Sequence, residues 1–255
     1  PWVSLSNSQV YYNTLAQNVE FTGIYGISFW LVLINIFLYD LYKHKDKQIL
    51  IKFCIVFIFP WISGYSLYNL QKDDLSDGMN IVITQPNIHL SEKRNPQYPH
   101  QNINKMIEVS TAAVNKDTDL VLFPESAISI IDLYNNKSLD IIKKSILNNN
   151  TSLLTGLNYF EYQANGERNN YNSVIYLNAI NIIQTPEIYH KINLVPLAEK
   201  IPLSSIFPKL KSINIGQANF ESGTDYKIFN INDYKIGAMI CYESTFPQLN
   251  RKFVN

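Results

Sequence analysis

Residues 236–244 have the sequence Ile-Gly-Ala-Met-Ile-Cys-Tyr-Glu-Ser, a short apolar run that leads into a polar turn at Cys241. The run predicts a β-strand that ends at the cysteine. Residues 245–253 are compatible with a helix, so the thiol is expected on a sharp strand-to-helix turn. Backbone N–H groups at such a helix start face a developing oxyanion, which suits a nucleophile. The alternative is a structural cysteine, because free Cys is among the most buried residue types.

The rest of residues 79–255 alternates short apolar runs with helical patterns. Strands are predicted where apolar runs are bounded by turn residues, and helices where apolar residues recur every three or four positions. The predicted strands are residues 80–85, 119–123, 152–157, 171–178, 182–191, 226–231 and 234–240, and the predicted helices are residues 100–115 and 138–148. This alternation predicts an α/β domain with a mixed sheet.

Two apolar runs precede this domain, at residues 21–39 and 49–68. Each is close to the roughly 20 residues that a helix needs to cross a bilayer core. We therefore predict two transmembrane helices within residues 21–70, joined by a connector at residues 40–48. Two core helices of a soluble protein are the alternative. Pro60 is expected to kink the second helix.

Basic residues predict the orientation of these helices. The connector contains Lys43, Lys45 and Lys47, whereas residues 1–20 contain no Lys or Arg. Short loops rich in Lys and Arg stay on the cytoplasmic side of a membrane. Residues 1–20 are therefore predicted to be an extracytoplasmic loop, and the domain from residue 79 onward is predicted to lie on the same side.

Charge and cysteine content narrow the function classes. The 255 residues include 21 basic and 21 acidic residues, so the basic excess that nucleic-acid binding requires is lacking. Cys54 lies inside an apolar run, and a disulfide with Cys241 is not expected. The chain begins with Pro1 and carries no signal-peptide pattern, and we expect it to be a fragment of a longer chain.

Glu125 directly follows a predicted strand, in the sequence Leu-Phe-Pro-Glu-Ser-Ala. Its carboxylate is therefore expected at the carboxyl edge of a strand, where active sites of α/β folds collect. A carboxylate near a helix N-terminus is an equally common arrangement and remains the alternative.

Lys191 ends another predicted strand, and Glu199 follows eight positions later. A lysine beside a cysteine stabilises the thiolate and donates to an oxyanion, while a carboxylate accepts the thiol proton. A solvated surface lysine is the alternative. His190 competes as the base of a Cys/His arrangement, although neighbouring residues of a strand point to opposite faces.

The sequence contains no pattern for a metal or cofactor. The four histidines are scattered, there is no Cys-x-x-Cys, and neither a Gly-x-Gly-x-x-Gly nor a Walker loop occurs. No cofactor and no metal are expected.

Four segments together resemble the nitrilase, or carbon-nitrogen hydrolase, superfamily, and specifically its membrane branch, the apolipoprotein N-acyltransferases. They are Phe-Pro-Glu-Ser-Ala-Ile at 123–128, Tyr-His-Lys at 189–191, Leu-Val-Pro-Leu-Ala-Glu-Lys-Ile-Pro at 194–202 and Ile-Cys-Tyr-Glu at 240–243. Supporting matches lie at residues 82–88, 155–156 and 171–173. The resemblance implies an α-β-β-α sandwich, C-terminally incomplete, that follows the last two membrane helices.

The resemblance also implies a Glu-Lys-Cys triad. Glu125 would be the general base, Lys191 would stabilise the thiolate and the oxyanion, and Cys241 would be the nucleophile that becomes a thioester. The supporting residues would be Glu199, which orients Lys191, together with Tyr242 and Glu243 around the nucleophile.

The implied reaction moves an acyl chain from a phospholipid to Cys241 and then to the N-terminal amine of a diacylglyceryl-cysteine apolipoprotein. The expected partners are the phospholipid, the apolipoprotein and the membrane, without nucleic acid, and the expected location is the inner (cytoplasmic) membrane. We expect residues 1–255 alone to be inactive. The alternatives are a membrane-anchored nitrilase-type amidase and a catalytically silent membrane anchor or interaction module.

Overall fold

The computed structural model describes residues 4–70, 78–89, 92, 99–129, 136–146, 151–179, 186–204, 206–207, 209–210 and 218–254. The chain divides into two compact units, Pro1–Asp77 and Gly78–Asn255. Parts of two predicted elements, residues 147–148 and 182–185, lie outside the described residues.

The first unit is built on two long helices. A 3₁₀ turn (Leu5–Gln9) and a single turn, α1 (Asn13–Ala16), precede α2 (Val19–His44) and α3 (Lys47–Leu70). Both α2 and α3 are long and apolar enough to cross a membrane. Their large apolar side chains are mostly exposed, as expected of helices that face lipid. The structure therefore contains the two predicted apolar helices, and each is longer than its predicted span.

Side chains compensate for the proline inside α3. Pro60 has no backbone N–H, so the carbonyl of Val56 lacks its usual helical donor. The indole Nε1 of Trp30 donates to that carbonyl oxygen at 2.7 Å. Asn18 Nδ2 donates to the carbonyl oxygen of Pro60 at 2.8 Å. Trp30 of α2 and Asn18, the residue before α2, thus bind backbone carbonyl groups of α3 at Val56 and Pro60. Such compensation allows proline inside apolar helices.

Helix α2 is interrupted at Gly23. Gly23 has φ 62° and ψ −177°, while α3 runs without a break from Lys47 to Leu70. A left-handed φ suits glycine, because glycine has no Cβ to clash with the backbone.

The second unit contains the predicted mixed sheet. Its six strands are β1 (Ile81–Ile83), β2 (Leu120–Leu122), β3 (Ile128–Ser129), β4 (Ser152–Tyr162), β5 (Arg168–Leu177) and β6 (Glu187–His190). Strands β1, β2 and β4 are parallel neighbours, β3 also pairs with β4 in parallel, and β5 and β6 continue antiparallel. A hairpin of β7 (Ile228–Ile231) and β8 (Tyr234–Gly237) forms a second sheet. The described part of this unit contains the helices α4 (Pro99–Thr111), α5 (Asn136–Ser145) and α6 (Pro247–Val254).

The two faces of the six-stranded sheet bury different cores. Val121 and Leu153 belong to a core shared with α4 and α5. Their neighbours Leu120 and Leu154 belong to a core shared with the hairpin, against which Phe253 of α6 also packs. The alternation follows the period of two of β-strands. The layers thus follow the order α-β-β-α, which confirms the predicted fold class.

Several elements differ from the prediction, and three of the differences have a local reason. Strand β8 ends at Gly237 rather than at residue 240, because the N–H of Ile240 donates to the side chain of Glu243 at 2.9 Å instead of to a strand. Strand β4 extends beyond residue 157, because its far end pairs with β5. Strand β3 has only two residues and too short a pattern to be predicted.

Replacing Trp30 with Phe should destabilise the helix pair. The change keeps an aromatic ring but removes the donor to the Val56 carbonyl, at a cost of about 1 kcal/mol. Trp61→Phe is the matched control, because Trp61 Nε1 is buried without a hydrogen-bond partner in the described structure. We expect a lower thermal midpoint for Trp30→Phe only, measured on the full-length protein in detergent. Equal losses for the two variants would contradict this assignment.

Candidate active site

Cys241 lies on a strained turn between β8 and α6. It is the first residue of a 3₁₀ helix, Cys241–Thr245, and its φ is 50°. A left-handed backbone is uncommon for residues other than glycine, and such strain collects at functional sites. The cysteine is exposed and unpaired. The predicted strand-to-turn placement therefore holds, although three residues separate the strand from the thiol.

A buried carboxylate fixes this turn. Glu243 is fully buried, and its Oε1 accepts hydrogen bonds from the Tyr189 hydroxyl at 2.7 Å and from the N–H groups of Ile192 and Asn193 at 2.8 and 3.1 Å. Its Oε2 accepts from Ile240 N at 2.9 Å. Glu243 thus ties the chain just before Cys241 to the end of β6. Burial, followed by the bond to this carboxylate, raises the pKa of Tyr189, so the phenol stays protonated and donates.

Glu125 follows β2 and lies against β4. Gly156 of β4 allows this approach, because a Cβ there would lie 2.6 Å from the Cα of Glu125. The next residue, Ser126, has φ 50°. The Glu125 side chain is partly open, and its Oε1 accepts a hydrogen bond from Asn172 Nδ2 at 2.7 Å. The structure thus places Glu125 at a strand edge, as predicted.

Lys191 and Glu199 form a buried ion pair. Lys191 Nζ lies 3.0 Å from each oxygen of Glu199, and the lysine side chain has no exposed surface. Glu199 also accepts from Val195 N at 2.7 Å and from Asn172 Nδ2 at 3.0 Å. A buried ammonium is tolerated only when it is paired and bonded in this way. The alternative of a solvated surface lysine is therefore wrong.

His190 points away from this ion pair. Its Nδ1 lies 2.7 Å from Ser173 Oγ, and its ring stacks on Tyr171 with centroids 4.3 Å apart. Burial lowers the pKa of His190, and the facing charge of Glu161 partly offsets that effect. The structure therefore brings Lys191, and not His190, next to Glu199 and Asn172.

One cavity connects two of the predicted site residues. It has a volume of about 390 Å³ and lies between the two sheets of this unit. Glu125 and Cys241 both line it, and most of the other lining residues are apolar, among them Ile81, Leu122, Leu154, Val174 and Met239. A thiol and a carboxylate at the mouth of an apolar cavity suit acyl chemistry on a substrate with an apolar part.

Tyr242 lines a different cavity. Its ring is buried and packs edge-on against Phe246, with centroids 4.9 Å apart. Both rings line a cavity of about 340 Å³ together with Ile192, Leu194, Pro196, Lys200 and Leu203. Tyr242 thus neighbours the cysteine in sequence but faces another space.

Two residues of the cluster were not predicted as site residues: Asn172, which contacts both Glu125 and Glu199, and Tyr189, which contacts Glu243. Both lie in strands, Asn172 in β5 and Tyr189 in β6. The Tyr-Asn-Ser match at residues 171–173 was the available signal for Asn172. Among the described residues, no group of three or more His, Cys, Asp or Glu side chains could hold a metal ion.

Residues 83–254 match the carbon-nitrogen hydrolase family. Similar curated proteins include those called apolipoprotein N-acyltransferase from Chlorobaculum tepidum (26% identity over 280 residues, 99% of this chain and 52% of that protein). The Rickettsia prowazekii protein of that name is 26% identical over 256 residues, 98% of this chain and 50% of its own length. The chain spans about half the length of the curated relatives it matches. The resemblance predicted from the motifs is confirmed.

Solved structures with a similar arrangement include a mutant of the Nesterenkonia AN1 amidase from the nitrilase superfamily. Its identity to this chain is 14% and the TM-score is 0.44, over 70% of this chain and 62% of the amidase.

Replacing Glu243 with Gln should destabilise the second unit strongly. The amide nitrogen of Gln cannot accept the bonds that one carboxylate oxygen now accepts, and a loss of roughly 3 kcal/mol in the free energy of unfolding follows. Glu221→Gln is the matched control, because Glu221 pairs with Lys200 at 2.6 Å in a partly exposed site and should lose less than about 1 kcal/mol. Urea unfolding of the full-length protein in detergent measures both. Similar losses for both variants would contradict the role given to Glu243.

Stability should fall as the pH is lowered from about 7 to about 5. The pKa of His190 is lower in the folded protein than its usual value of 6.5, so the unfolded chain binds the proton first as the pH falls. His190→Gln should flatten this dependence, while His44→Gln, at an exposed position near the end of α2, should leave it unchanged. Thermal midpoints across this pH range give the comparison, and an unchanged slope in His190→Gln would refute it.

Proposed function

The chain belongs to the carbon-nitrogen hydrolase family, and from this premise we propose that it carries the catalytic residues of an apolipoprotein N-acyltransferase. The carrying observation is the cavity lined by both Glu125 and Cys241, with Glu125 connected through Asn172 to the buried Lys191–Glu199 pair. The names of the curated relatives support the choice of reaction within the family. In this proposal Cys241 is the nucleophile, Glu125 the general base and Lys191 the stabilising cation.

The first half-reaction forms a thioester. Glu125 accepts the proton of the Cys241 thiol, and the thiolate sulfur attacks the ester carbonyl carbon of a phospholipid. Negative charge then develops on the carbonyl oxygen. An ammonium has three N–H donors, and Lys191 Nζ contacts both oxygens of Glu199. In this proposal the third donor stabilises the thiolate and the oxyanion. Collapse breaks the ester bond, and the departing alkoxide takes the proton from Glu125.

The second half-reaction transfers the acyl group. The α-amine of a diacylglyceryl-cysteine apolipoprotein attacks the thioester carbonyl and gives a proton to Glu125. The sulfur of Cys241 leaves and recovers a proton, so the enzyme returns to its starting state. Two acyl transfers through a thioester replace one direct transfer, which divides the barrier.

The proposed location follows from the first unit. Helices α2 and α3 support a multi-pass protein of the cytoplasmic membrane, with the Lys-containing connector at residues 40–48 on the cytoplasmic side. The catalytic unit would then lie outside the cytoplasm, beside its phospholipid donor and its lipoprotein acceptor. Mature lipoproteins would be the products released at that surface.

The test is a covalent intermediate. Full-length protein incubated with phosphatidylethanolamine should gain one fatty acyl group on Cys241, detectable by intact-mass and peptide mass spectrometry and removable by neutral hydroxylamine. Cys54→Ser should retain the adduct, because Cys54 lies in α3, whereas Cys241→Ala should lose it.

Other outcomes separate the alternatives. If no adduct forms and ammonia is released from amides in a Cys241-dependent way, the protein is an amidase of the same family. If Cys241→Ala supports lipoprotein acylation in cells as well as the unaltered protein does, the chain is an anchor or interaction module.

A further inference from the structure

One amide in the candidate site contacts both of its carboxylates. Asn172 lies in β5, and its side chain is almost fully buried. Its Nδ2 donates to Glu125 Oε1 at 2.7 Å and to Glu199 Oε1 at 3.0 Å. A primary amide nitrogen has two hydrogens, so each carboxylate receives one. The two negative groups are thereby held at a single neutral donor.

These two bonds fix which way the amide faces. If the amide were flipped, its oxygen would face two carboxylate oxygens, and no hydrogen would lie between them. In the observed orientation Oδ1 is buried without a hydrogen-bond partner among the described residues. An unsatisfied buried acceptor costs roughly 1–3 kcal/mol. The protein therefore retains an orientation that is poor for stability but holds both carboxylates.

The backbone of Asn172 also binds the backbone of Lys191, the third charged residue of the site. Lys191 N donates to the carbonyl oxygen of Asn172 at 2.8 Å, directly after β6 pairs with β5. On the neighbouring strand β4, Asn172 is paired with Asn158, which lies two residues after Gly156, the glycine beside Glu125. One residue thus contacts Glu125 and Glu199 with its side chain and Lys191 with its backbone.

We propose that Asn172 is a positioning residue that keeps Glu125 directed at Cys241 while Glu199 remains bound to Lys191. This inference rests on the proposed function only for the choice of substrate. Without the amide, Glu125 loses a bond that restrains it, and the two carboxylates are no longer bridged by a donor. Their negative charges are then less well compensated near Cys241, which disfavours its thiolate.

A purely structural role for Asn172 makes a different prediction. A residue that only supports the fold should lose stability and activity together. Asn172→Leu keeps the branching of the side chain but removes the donor to both carboxylates, so some stability is lost with these bonds. The positioning role predicts that the variant still folds and that its activity falls much further than its folded fraction. Asn172→Asp keeps the shape and replaces the donor by a third carboxylate oxygen.

The experiment compares these variants in the full-length protein. The rate of thioester formation at saturating phosphatidylethanolamine should fall about 30-fold in Asn172→Leu and further in Asn172→Asp, with KM within about threefold, because a misdirected base affects the chemical step rather than binding. Alkylation of Cys241 by iodoacetamide should slow about tenfold in parallel. Asn170→Leu and Asn170→Asp, two residues earlier and on the same face of β5, should stay within about twofold in both assays.

Three outcomes decide the matter. Thioester formation by Asn172→Leu within threefold of the unaltered protein overturns the inference, as does a loss of folded protein by circular dichroism that equals the loss of rate. If the unaltered protein forms no thioester but its Cys241 alkylates about ten times faster than that of Asn172→Leu, the proposed function fails and the positioning role stands.

Discussion

The candidate site depends on the burial of one carboxylate that has no cationic partner among the described residues. Glu243 receives four hydrogen bonds, three of them from backbone N–H groups, and these come from two separate parts of the chain. Because an unpaired buried charge costs several kcal/mol, the folded state must keep all of these donors in place. The end of β6 and the turn at Cys241 are therefore held together by the same group. The bond from Ile240 N to Glu243 spans the turn in which Cys241 has its strained φ and so restrains it.

The charged side chains of the site differ in the partners that hold them. The buried ammonium of Lys191 is paired with Glu199, and Glu125 accepts a hydrogen bond from the neutral amide of Asn172 on one of its oxygens. A hydrogen bond from a neutral donor restrains a carboxylate without adding a positive charge beside it. Preorganised groups of this kind lower a barrier because they need no reorganisation when charge moves. The walls of the adjoining cavity are mostly apolar, which lowers the dielectric constant beside these groups.

Much of the fold and the position of Glu125 could be predicted from the sequence. The other features of the site could not, because they depend on contacts between side chains and strands that a local pattern does not show. Strands such as β2 and helices such as α4 follow from apolar periodicity, and Glu125 lies at a strand edge for the same reason. The end of β8 could not be predicted, because a side-chain bond from Glu243 replaces the strand pairing at Ile240. The role of Asn172 depends on the pairing of β5 with β6, which one sequence does not encode as a local pattern. A kink was expected at Pro60, but the interruption lies at Gly23 of α2. The sequence does not show that Trp30 donates to the Val56 carbonyl and so compensates the proline.

The length of chain between Glu243 and its partners has a consequence for biosynthesis. Tyr189 and Glu243 are 54 residues apart, so the turn cannot be held until β6 has paired and the chain has emerged well beyond it. Until then the turn at Cys241 lacks the contacts that fix it. In the proposed function, Cys241 would therefore become a nucleophile only in a folded copy, and nascent chains would not be acylated.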